Sequence, residues 1–149
     1  MRPTLALLLL PVILILGGCS SPAPQATSKQ GTIEISGPAT TVSKHPYAKY
    51  IELAGFRLVE SKPGQLDVKF VAVNHSEADL GDMELTIRLR TTAAKPEDPP
   101  VAEFQAKVPA LTPLEIHDVS AKVNTKLRIY ELPDWQFLRA EFDITSPAP

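Results

Sequence analysis

The chain has 149 residues, a formal charge of −2, 44% hydrophobic residues and a single cysteine. That length suits one domain with a short tether. The slightly acidic balance offers no field to hold nucleic acid, and one thiol supports neither an internal disulfide nor a thiolate zinc site.

The first element is the apolar run from Leu5 to Leu16, preceded by Arg2 and followed by Gly17-Gly18-Cys19-Ser20. A membrane-crossing helix needs about 20 apolar residues. Here there are eleven in twelve positions, Pro11 interrupts them, and no Lys or Arg follows until Lys29. A positive end, a short apolar core and a small-residue site are instead the three parts of a secretory signal. An ordinary cleaved signal is the remaining rival, and the cysteine decides against it. Exported chains carry paired cysteines or none, whereas this one has its only cysteine directly after Leu16-Gly17-Gly18.

Leu16-Gly17-Gly18-Cys19 resembles the lipobox of a bacterial lipoprotein. The resemblance implies that residues 1–18 are removed and that Cys19 becomes the lipid-bearing first residue. Ser20 stands where Asp would signal inner-membrane retention, so the outer membrane is favoured, with the domain facing the periplasm. Residues 19–31 carry Ser, Pro, Ala, Gln, Thr and Lys with no large apolar side chain, a composition expected to form a flexible tether.

The domain is expected over residues 32–146. Residues 32–36 alternate and predict a short strand that ends at Gly37-Pro38, and the stretch to Pro46 reads as loop. Residues 50–60 predict a longer strand with a bulge or bend at Gly55. Ser61-Lys62-Pro63-Gly64 predicts a turn. Leu66, Val68, Phe70 and Ala72 share one face of the next strand, and residues 74–82 form a polar loop. Residues 83–90 hold apolar side chains at every odd position and polar ones at every even position, a period of two that only a strand satisfies.

The segment 93–100 contains Pro96, Pro99 and Pro100 and cannot be ladder-paired throughout. Phe104, Ala106 and Val108 mark another strand, and residues 109–113 turn a corner. In residues 116–123 Ile116 is out of step with Val119, Ala121 and Val123, which predicts a bulge. Residues 126–134 fit either an irregular strand or a helical turn, and residues 138–144 alternate again.

Short strands with one apolar face each predict an all-β protein, an antiparallel immunoglobulin-like β-sandwich of about seven strands. The run Val71-Ala72-Val73-Asn74-His75-Ser76, the loop with Leu80 and the following strand resemble the middle hairpin of bacterial immunoglobulin-like or fibronectin-like envelope domains. In those an Asn closes one strand and a loop Leu plugs the end of the sandwich. Val108-Pro109-Ala110-Leu111-Thr112-Pro113-Leu114-Glu115 is similar to their Leu-x-Pro-x-Glu corner, with Leu114 where Gly is commoner. The resemblance implies the fold and brings no active site with it.

Little in the domain points to chemistry. His45, His75 and His117 are too scattered for a metal site and read as surface or turn residues. Glu77, Asp79 and Asp82 crowd one loop, but counting from Glu77 puts Arg88 where a calcium loop needs its bidentate Glu, so capped turns account for them better. Asn74-His75-Ser76 matches a glycosylation acceptor only in its three letters. Nucleophile, metalloprotease and phosphate-loop motifs are absent from the sequence. No catalytic, cofactor-binding or metal residue is therefore assigned.

Tyr130-Glu131-Leu132-Pro133-Asp134-Trp135-Gln136-Phe137 holds three of the nine aromatic residues. These residues either cap the open edge of the sandwich, the reading the adjoining alternation favours, or anchor a partner protein. The resulting expectation is a non-catalytic lipoprotein that binds or positions another envelope component. A carrier for a small ligand or ion is the alternative, and an enzyme comes last.

Overall fold

A computed structural model describes residues 31–148; the signal, Cys19 and residues 19–30 of the tether lie outside the described residues. Eight strands form two four-stranded sheets, one ordered β1-β3-β4-β7 and the other β2-β8-β5-β6. The strands are β1 (Thr32–Ile35), β2 (Thr40–Thr41), β3 (Ile51–Lys62), β4 (Gln65–Asn74), β5 (Met83–Thr91), β6 (Ala102–Val108), β7 (Ile116–Asn124) and β8 (Leu138–Ser146). β4 and β7 pair in one sheet while the hairpin β5–β6 between them lies in the other, and β8 returns to pair with β5. This Greek-key crossing makes the fold an immunoglobulin-like β-sandwich.

The alternation read from the sequence sets which side chains meet. Leu85, Ile87 and Leu89 of β5, Phe104 and Ala106 of β6, and Phe142 and Ile144 of β8 are buried against Leu66, Val68, Phe70 and Ala72 of β4. In β3 the inward phase changes, from Ile51 and Leu53 to Phe56 and Leu58. Gly55 allows the change: it has φ 66°, and the pairing with β4 shifts between Ala54 and Arg57. One inserted residue in the left-handed region moves every later side chain to the opposite face. Phe56 then stacks on Phe70, with ring centres 4.9 Å apart. At the other end of β3, Gly64 has φ 78° in the hairpin turn, where a Cβ would lie 3.1 Å from the Thr125 carbonyl oxygen.

The all-β sandwich of about seven strands stands, with eight strands among the described residues, and three details are corrected. Thr40 and Thr41, expected in a loop, pair with Glu141 and Phe142 of β8. That pairing is parallel, so the second sheet is not wholly antiparallel. Ile116 makes no bulge: β7 runs in unbroken register with β4, and Ile116 sits opposite Val73 on the outer face, 68% exposed. The uncertain segment 126–134 contains a 3-10 turn at Ile129–Glu131.

The end of the sandwich where the β4–β5 and β6–β7 connections meet is closed by Asn74. Its side chain is fully buried. Its amide nitrogen donates to the carbonyls of Ala78 (2.8 Å), Thr112 (2.9 Å) and Leu111 (3.4 Å), and its amide oxygen accepts from the Ser76 N–H (2.8 Å) and hydroxyl (2.7 Å). Leu80 and Leu111 exchange two backbone bonds of 2.9 Å across the same gap. Asp82, from the acidic loop, accepts from the Ala110 N–H at 2.8 Å. The Glu115 carboxylate accepts from both the backbone N–H and the hydroxyl of Thr112, each at 2.8 Å. Those two bonds hold its pKa below the ordinary value of 4.5, with the nearby His117 adding to them against a small opposing cost of desolvation.

Two outcomes follow for this corner. Asn74→Ala should lower the unfolding free energy measured in urea by roughly 3–5 kcal/mol, since several buried polar groups lose their partner at once. Asn74→Asp should cost a comparable amount, because a carboxylate has no proton to offer the three carbonyls. Asn124→Ala at the exposed end of β7 should shift stability by no more than about 0.5 kcal/mol. For Glu115, a depressed folded pKa means a contribution present above pH 4.5 and lost as pH falls through the lower folded value. Glu115→Gln should therefore flatten the acid limb of the stability curve, read from urea midpoints across that range; an unchanged limb would remove Glu115 from the account.

Candidate functional site

The connection from β7 to β8 is pinned to the sandwich at alternate points. The Thr125 N–H donates to the Gly64 carbonyl (2.9 Å), laying the chain on the β3–β4 hairpin, and the Thr125 hydroxyl accepts from the Leu127 N–H (3.1 Å). Arg128 forms an ion pair with Glu60 near the end of β3, and this bond raises the Arg128 pKa. The Arg128 N–H also donates to the Glu131 carboxylate at 2.6 Å, which closes the 3-10 turn. Ile129, Leu132 and Leu138 are buried, and Thr92 donates to the Phe137 carbonyl at 2.8 Å.

What lies between those pins faces out. Tyr130 is 70% exposed, and Trp135 and Phe137 are each 52% exposed, the last two in a second 3-10 turn, Trp135–Phe137. The expectation that Trp135 and Phe137 cap the sandwich is therefore corrected: Ile129, Leu132 and Leu138 do the covering, and a three-residue turn cannot direct all its side chains to one face. The Arg128 guanidinium lies 5.5 Å from the Tyr130 ring centre, a cation–π contact at the surface. Between Trp135 and the edge strand β1 runs an open groove of about 420 Å³, lined by Thr32, Ile33, Glu34, Ser36, Asp134 and Trp135. Glu34 is already paired with Arg57 at 2.7 Å.

The histidines serve separate local roles. His45 is a turn residue, as expected, though a buried one; its Nδ1 accepts from the Tyr47 N–H (3.1 Å) and caps the 3-10 turn Pro46–Lys49. His75 meets Glu52 at 2.7 Å and His117 lies 3.6 Å from Glu115. Among the described residues no three His, Cys, Asp or Glu side chains converge as a metal site would require. Asn74 is buried and fully engaged in the corner, which leaves the glycosylation triplet without an accessible acceptor. Sequence reasoning did not anticipate the Arg90–Glu141–Arg139 cluster on the outer face of the β2-β8-β5-β6 sheet, with contacts of 3.0 and 3.2 Å and Glu141 only 16% exposed. Its members stand on two strands 49 positions apart in the chain (Arg90 and Arg139), and only the pairing of β5 with β8 brings them together.

No family model matches the chain, and no curated protein matches it. Among solved structures, the crystal structure of a DUF1425 family member from Shewanella sp. pv-4 is similar at 15% identity, covering 82% of this chain and 94% of that one with a TM-score of 0.32. A likeness that loose bears on neither mechanism nor site.

Exposure of Trp135 has a direct optical readout, because the chain has one tryptophan. In chain purified away from membranes its emission should be red-shifted and readily quenched by acrylamide. Trp135→Ala should change stability by less than about 1 kcal/mol, against roughly 3–5 kcal/mol for a buried aromatic. A blue-shifted, protected Trp135 with a large loss on mutation would restore the capping role.

Proposed function

We propose that this chain is a lipid-anchored, non-catalytic domain of the bacterial envelope, held at the outer membrane through Cys19, facing the periplasm, and acting by contact with another envelope component. The observation that carries the contact role is the joint exposure of Tyr130, Trp135 and Phe137 on a connection where Ile129 and Leu132 are buried. Large amphipathic rings left outside a well-filled core are the side chains that dominate binding surfaces. The anchor rests on the sequence around Cys19, where the one thiol follows an apolar run and a small-residue site. The non-catalytic character is supported by the engagement of the three histidines and Asp82 in turns, caps and ion pairs.

Cells grown with radioactive palmitate should label the wild-type chain and leave Cys19→Ser unlabelled; an unlabelled wild type ends the anchor reading. A photo-activated cross-linker replacing Phe137 should form an adduct in intact cells well above the background set by the same group at Ser120, on the opposite sheet. Equal yields at the two positions would remove the aromatic surface from the function.

A further inference from the structure

The described chain begins at the aromatic end of the sandwich. The Gly31 carbonyl accepts from the Glu60 N–H at 3.2 Å, and a Cβ on Gly31 would lie 3.5 Å from Ile129 Cγ2. Ile129 opens the turn that presents Tyr130, and a small cleft lined by Gly31, Thr32, Ile33, Ile129, Tyr130 and Leu132 marks where they meet. Phe137 belongs to the same end, bonded to Thr92 beyond β5, whereas Asn74 and its corner close the opposite one. A strand of nine residues spans about 30 Å, so the two ends differ widely in height above any surface that holds the tether. Cys19 stands twelve residues before Gly31, a path of at most about 40 Å when fully extended.

The side chains at this end suit a lipid–water boundary. Tyr130 and Trp135 each combine an apolar ring with a polar tip, the residues enriched where bilayers meet water. Leu127 adds a partly exposed aliphatic side chain. Lys62 at the end of β3 and Lys126 in the adjoining connection are exposed; both kinds of lipid attraction, apolar burial and charge toward anionic headgroups, are thus present. A protein would have to diffuse to this surface. A bilayer bearing the anchor is already within the tether's reach, at a high effective concentration.

We propose that Tyr130, Trp135 and Phe137 insert into the headgroup region of the bilayer that carries the Cys19 lipid, so that the sandwich stands with its Asn74 corner turned away from the membrane. The proposal rests on the anchor reading and names the envelope component as lipid. Because position 135 is the single tryptophan, the full-length chain in phosphatidylethanolamine–phosphatidylglycerol vesicles reports on this surface alone. Lipids brominated high on their acyl chains should quench its emission at least twofold, and more than lipids brominated near the chain ends. The exposed double substitution Tyr130→Ser with Phe137→Ser should keep the anchor and lose at least half of that quenching. A chain that floats with the vesicles but whose emission ignores bromine overturns the insertion and leaves the anchor standing. Trp135 protected from acrylamide in native membranes yet untouched by brominated lipid assigns the surface to a protein and also overturns it. A chain without fatty acid that fails to float removes the anchor and this proposal with it.

Discussion

A β-sandwich must bring its chain across from one sheet to the other, and each crossing turns backbone carbonyls inward where no strand can pair with them. In this fold two crossings, β4 to β5 and β6 to β7, meet at one end, and Asn74 is what they meet around. One amide supplies donors for carbonyls of both connections while its oxygen organises Ser76. The Asn74 N–H adds a bond of 2.9 Å to the Glu115 carbonyl, fixing the start of β7 against the end of β4. Buried polar groups are tolerated only when every lone pair and proton has a partner. Each partner here is main chain or the neighbouring Ser76, so the arrangement specifies a backbone path rather than a mere contact.

That path forces an unusual backbone on its neighbour. Leu114 has φ 59°, in the region that branched and bulky residues avoid, and its side chain is 66% exposed. The strain is held from both sides, by the Leu114 N–H to the Ser76 carbonyl at 3.3 Å and by the Glu115–Thr112 bonds. The corner is thus over-determined, the condition under which a sparsely populated conformation persists. Glu115 belongs to this lock as much as to the surface charge.

The parts legible in the sequence were those where one period or one residue type decides. Residues 83–90 could only be a strand, Gly55 announced the change of phase between Leu53 and Phe56, and Asn74 and Leu80 marked the closed end. The parts that escaped depend on what lies opposite. Thr40–Thr41 has no pattern of its own and becomes a strand because β8 lies beside it. Ile116 looked displaced only when an inward role was assumed for every apolar residue; on the outer face beside Val73 it is in register. The rings of Tyr130, Trp135 and Phe137 were legible as distinctive but not as exposed, since the facing of a 3-10 turn depends on which neighbours are pinned, and Ile129, Leu132 and Leu138 hold those positions.

The order β2-β8-β5-β6 has a bearing on time as well as on space. β8 is the last of the described strands, yet it lies inside its sheet, with β5 on one side and β2 on the other. A chain emerging from its amino end can assemble the β1-β3-β4-β7 sheet once Asn124 has appeared. Until Leu138–Ser146 follows, the opposite layer is a lone hairpin, β2 has nothing to lie against, and half the apolar interior faces water. Long-range closures of this kind are slow and leave the waiting intermediate prone to aggregation. Leu138–Ser146 is consequently the segment whose arrival completes the second sheet, and a chain cut before it would leave the inward faces of β4 and β5 exposed.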